Sequence, residues 1–63
     1  MTLTTWMQRH FEAVGGQKIS DVVWLAREDG LRVKSETEMG LAFLREHARR
    51  EGLRRRLKAR AVA

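Results

Sequence analysis

Apolar residues in the first part of the chain recur at intervals of three and four: Leu3, Trp6, Met7, Phe11 and Val14. An α-helix turns once in about 3.6 residues, so this spacing gathers them on one face and leaves Gln8, Arg9 and Glu12 on the other. The pattern predicts a helix over 3–14, with Thr2 or Thr4 capping its start and Gly15 and Gly16 ending it. A second stripe, Ile19, Val22, Val23 and Ala26, predicts a helix over 21–29. Ser20 is placed to cap it, Ile19 to staple onto Trp24, and Gly30 to stop it with an accompanying contact from Leu31. Trp24 and Leu25 fall outside the stripe, so this helix is expected to be buried on more than one side or to offer an apolar patch to another chain.

Ser35 and Glu38 have the serine-x-x-glutamate spacing of a capping box and open a third, longer helix over 36–58. Its acids stand at the start and its arginines toward the end, the order the helix dipole favours. Met39, Ala42, Phe43 and Leu44 are its expected buried portion, and Leu53 and Leu57 return to the side of Met39 and Phe43, with Glu46 and Arg50 interrupting that side. Gly52 weakens a helix interior by about 1 kcal/mol relative to alanine, so fraying or a kink is expected there, and residues 59–63 are expected to be a loose tail. These elements make an all-α fold: one small three-helix bundle over 1–58 with an extended basic C-terminal helix. Its expected core is Trp6, Phe11, Val22, Val23, Met39 and Phe43.

So short a chain has one thin core, and domains of this size usually gain stability from disulfides, a metal or a partner chain. There is no cysteine and only two histidines, His10 and His47, neither with the paired spacing zinc needs, so no metal or other cofactor is expected. A homodimer is the remaining support. The cytoplasm is the default compartment for a chain without cysteine. No apolar run approaches the roughly 18 residues that span a bilayer, and the stretch from Met1 to Val14 lacks a signal-peptide core, so a soluble protein with no membrane association is expected.

Charge changes this picture most. The net charge is +5, but its distribution is uneven. Residues 45–60 hold eight cations, Arg45, Arg49, Arg50, Arg54, Arg55, Arg56, Lys58 and Arg60, against Glu46 and Glu51. The first 44 residues hold five cations against six acids. A merely solvated face alternates its signs, whereas this one hardly does, and so many cations on one helix can neutralise phosphates. At about 100° per residue they are spread around the helix, which suits an arm projecting from the body.

Catalysis has little to work with. The only serines, Ser20 and Ser35, are placed as caps, and Asp21, Asp29, Glu36 and Glu38 stand at helix ends where dipole and capping account for them, so no enzyme is expected. Gly15 to Ser20 lead into a helix but lack the glycine spacing and the Lys-Ser or Lys-Thr pair of a nucleotide-binding loop. Lys18, beside the N-terminus of the second helix, is instead a candidate anchor for one backbone phosphate.

Leu25-Ala26-Arg27-Glu28-Asp29-Gly30-Leu31 followed by Ser35-Glu36-Thr37-Glu38-Met39 resembles the repressor-type helix-turn-helix family. The resemblance covers about a third of the chain. It implies that Ala26 is the small packing residue, Gly30 the turn residue and the third helix the recognition helix in the major groove of DNA, in a protein of transcription regulation. The sequence departs from the motif in a turn running from Gly30 to Ser35, and in carrying Glu36 and Glu38 where bases would be approached. The expected function is therefore a small nucleic-acid-binding regulator, with DNA before RNA, using Lys18 and the eight cations of 45–60. The alternative is a protein-interaction module, such as a mobile-element-encoded inhibitor of a host protein, docking through the surplus apolar residues Trp6, Trp24, Leu25 and Leu41.

Overall fold

The computed structural model describes residues 1–62, and for Val62 the backbone alone. Among them are three helices and no strand: α1 (Leu3–Val14), α2 (Ile19–Glu28) and α3 (Glu36–Val62). The fold is all-α, a small three-helix bundle with an extended third helix.

Local chemistry explains most boundaries. Thr2 is the residue that caps α1, its hydroxyl accepting the Thr5 N–H at 3.2 Å. After Gly15, Gly16 adopts the left-handed conformation (φ 86°) that turns the chain away. The end of α2 is a Schellman motif: the Gly30 N–H donates to the Arg27 carbonyl at 3.0 Å and the Leu31 N–H to the Ala26 carbonyl at 3.0 Å, with Gly30 at φ 90°. Leu31 is buried, as that motif's hydrophobic contact requires. At α3 the Ser35 hydroxyl accepts the Glu38 N–H at 3.2 Å, while the Glu38 carboxylate reaches one residue further back and accepts from the Lys34 N–H at 2.9 Å.

Three local expectations are overturned. The helix α2 begins at Ile19 with Lys18 as its N-cap, so Ser20 lies inside the first turn instead of capping it. Water can serve the donors of that exposed end, and no side-chain cap forms. The helix α3 runs unbroken through Gly52 and on to Val62, past the expected end at residue 58, because Ala59, Arg60 and Ala61 are strong helix formers. Ala63, the last residue of the expected loose tail, lies outside the described residues. Leu44 is 61% exposed rather than part of the core; it stands about 140° around α3 from the buried Met39.

The core is built where all three helices meet. Trp6, Val22, Val23 and Met39 are buried as expected, with Met7, Val14 and Ala26 beside them. Phe11 and Phe43 stay half-buried and stack on each other, centroids 4.7 Å apart. Val33 joins the core from the segment between α2 and α3, where burial alternates: Leu31 and Val33 in, Arg32 and Lys34 out. That is the period of an extended chain, whose side chains point alternately to opposite sides. The Arg27 guanidinium fixes this segment to α2, donating to the Val33 carbonyl at 2.7 and 3.1 Å.

Candidate nucleic-acid interface

The first half of α3 is tied to α1 by an ionic cluster around Glu46. Glu46 is 4% exposed and would be costly to bury alone. Arg49 grips its carboxylate with two hydrogen bonds of 2.9 and 2.8 Å, a fork-to-fork geometry. Arg50 adds a third at 2.6 Å. Hydrogen bonding by Arg49, above all, and then by Arg50 holds the Glu46 carboxyl at about 2, against the upward push of burial. The same partner raises Arg49 above its ordinary value.

Arg50 then crosses to α1. Its guanidinium donates to Glu12 at 3.0 Å and to the Gln8 carbonyl at 3.1 Å, and lies over the Phe11 ring 4.4 Å from the centroid. The polar pair that interrupts the apolar side of α3 is thus a built joint of the bundle. Arg50, expected as a phosphate contact, is turned inward to hold α1, and Arg49 has both ends of its fork on Glu46.

Beyond Glu51 no described side chain is buried. A helix of 27 residues is about 40 Å long, which accounts for the 44 Å long axis of a molecule otherwise 22 by 18 Å across. The last third of α3 is therefore an arm with water on all sides. Arg54, Arg55 and Arg56 point in three directions about 100° apart, and Lys58 and Arg60 follow. Arg54 makes a 3.5 Å contact with Glu51 and is itself 74% exposed. Among the described residues no ion pair within 4.0 Å involves Arg45, Arg55, Arg56, Lys58 or Arg60.

The other expected site residues lie elsewhere. Lys18 is exposed at the N-terminus of α2, on a different element from the arm. Trp24, Leu25 and Leu41 are exposed apolar side chains, but Trp6, expected with them as an interface residue, is 1% exposed. Its place on the inner stripe of α1 and its N–H bond to Asp29 commit it to the core. At the opposite end of α3 from the arm, Glu36 and Glu38 form the acidic first turn. An apolar groove of about 320 Å³ between the helices, lined by Met7, Val14, Ile19, Val22, Met39 and Phe43 among others, has no acid, base or nucleophile in its wall. The described residues contain no cluster of metal-binding side chains and no helix long and apolar enough to cross a membrane. Comparison with known protein families, curated proteins and solved structures finds no match.

Proposed function

We propose that this chain is a small nucleic-acid-binding regulatory protein whose contact surface is the basic arm of α3, with DNA as its first partner. The observation that carries the reading is the projection of Arg54, Arg55, Arg56, Lys58 and Arg60 into water, where almost nothing neutralises them. Cations held this way release counterions from a phosphate backbone when they bind it. Arg45 belongs to the set, and Lys18 is an outlying anchor. Arg49 and Arg50 leave it, since both serve Glu46.

This assigns the contact to the C-terminal half of α3. A helix-turn-helix reading would use the N-terminal half, where Glu36 and Glu38 repel phosphates. An α-helix fits the major groove by width, so an arm of this kind can lie there or along the backbone.

The test is binding to mixed-sequence duplex DNA and to RNA across a range of salt. With five or six phosphate contacts, log K should fall against log salt with a slope of about −5. Replacing Arg54, Arg55 and Arg56 by alanine should make that slope shallower by about 3. Absent or salt-insensitive binding would overturn the proposal. The exposure of Trp24, 61%, supports a second reading, a module that docks on another protein; a partner that stays bound after nuclease treatment would favour it.

A further inference from the structure

On the outer face of α2, Trp24 and Leu25 stand next to each other, 61% and 38% exposed. Asp21 lies one turn before them and Glu28 one turn after, and the four share an arc of about 100°. Both acids are exposed, and neither is ion-paired among the described residues. The one cation of α2, Arg27, has its guanidinium on the Val33 carbonyl. The face is therefore an aromatic centre between two unneutralised carboxylates, a larger apolar exposure than a helix surface needs.

The complementary surface is on the same chain. Leu53 and Leu57, four residues apart on one side of the arm, are 42% and 66% exposed. At about 100° per residue, Arg54 and Lys58 flank them on one side and Arg56 and Arg60 on the other. The ten residues of α2 extend about 15 Å, and the arm from residue 52 to 62 about as far. The arm cannot reach its own α2, because α3 continues unbroken away from the body. Two arms would repel each other, so an arm pairs best with an acidic face.

We propose that the Trp24–Leu25 face is covered by the arm of a second copy of this chain, each copy lending its arm to the other about a twofold axis. Leu53 and Leu57 pack on Trp24 and Leu25, and the flanking cations meet Asp21 and Glu28. The same contact is made twice, which closes the assembly at two copies. This pairing does not rest on the nucleic-acid reading: a second copy and a nucleic acid compete for Arg54, Arg56, Lys58 and Arg60, while Arg55 lies on the opposite side of the arm.

Sedimentation equilibrium of the full chain, freed of nucleic acid with nuclease, tests it. The expected result is a monomer–dimer equilibrium that weakens with salt. Two variants reverse the charges separately: Asp21→Lys with Glu28→Lys, and Arg56→Glu with Lys58→Glu. All four residues are exposed, and circular dichroism should show both variants folded. Each alone should self-associate about tenfold more weakly or worse. An equal mixture should recover the dimer, because one contact then pairs the new lysines with the new glutamates while the other stays native. A monomer at every concentration, species larger than a dimer, or a mixture no better than its components would overturn the proposal.

Discussion

The indole N–H of Trp6, on the buried side of α1, donates to the Asp29 carboxylate 2.6 Å away at the end of α2. His10 stacks on the Trp6 ring at 4.5 Å and brings its Nε2 to 4.0 Å from the same carboxylate. This joint closes the two shorter helices, and no buried polar side-chain atom among the described residues lacks a partner. Asp29→Ala should leave the indole donor unsatisfied and destabilise the fold by about 1–3 kcal/mol, read from urea unfolding. Asp29→Asn keeps an acceptor and should recover most of the loss; equal loss in both variants would show that the hydrogen bond is not what matters.

Glu46 makes stability depend on acid. Its carboxyl is held at about 2 in the fold, below the ordinary 4.5 it regains on unfolding, so the unfolded chain binds the proton more readily between these values. The stabilisation is therefore complete above about pH 4.5 and is lost as pH falls toward 2. Glu46→Gln should flatten that part of the profile relative to the native chain. Urea midpoints between pH 5 and 2 measure the difference, and parallel profiles for the two proteins would contradict it.

Arg50 and Arg55 should separate folding from binding. Arg50→Ala removes a partner of a buried carboxylate and the cation over Phe11, and should lower stability by about 2 kcal/mol. Arg55→Ala touches no partner in the body and should leave the unfolding midpoint unchanged while reducing the salt slope of nucleic-acid binding by about 1. The reverse assignment would return Arg50 to the binding surface.

Two glycines should respond in opposite directions. Gly30→Ala forces a side chain into φ 90° and should destabilise the fold by about 1–2 kcal/mol. At Gly52 an added methyl meets nothing within 4 Å, and alanine there strengthens the helix by about 1 kcal/mol. Because no described side chain of the arm is buried against the body, that gain should appear as slower amide exchange over residues 53–60, up to about fivefold, with little change in global unfolding.

The boundaries that local chemistry controls were legible in the chain. Thr2, Gly30 and the Ser35–Glu38 pair satisfy or redirect backbone groups within a few residues of themselves, and that requirement does not depend on the rest of the molecule. Ser20 misled because a cap is optional where water reaches the helix end. The role of Val33 was present as the alternation Leu31-Arg32-Val33-Lys34, which is too short to stand out beside helical periodicities. Among the site residues, the confinement of charge to residues 45–60 could be read from order alone. Which cations remain available could not, because Arg49, Arg50 and Arg54 differ little in sequence and only the first two have Glu46 within reach.

By itself the sequence determined three helices, the glycine stops of the first two, and a basic stretch at the end of the third, because helix propensity, capping and charge order are properties of neighbouring residues. Tertiary structure decided which apolar and charged side chains those helices use on one another. It left Leu44, expected in the core, exposed and brought Val33 in from the segment between α2 and α3, since each depends on what faces it rather than on the residue type. It also turned Glu46 and Arg50 from an interruption of an apolar side into the joint with α1. A buried carboxylate is stable only where cations from its own helix can meet it and another element encloses it, and that condition exists only after the helices have packed.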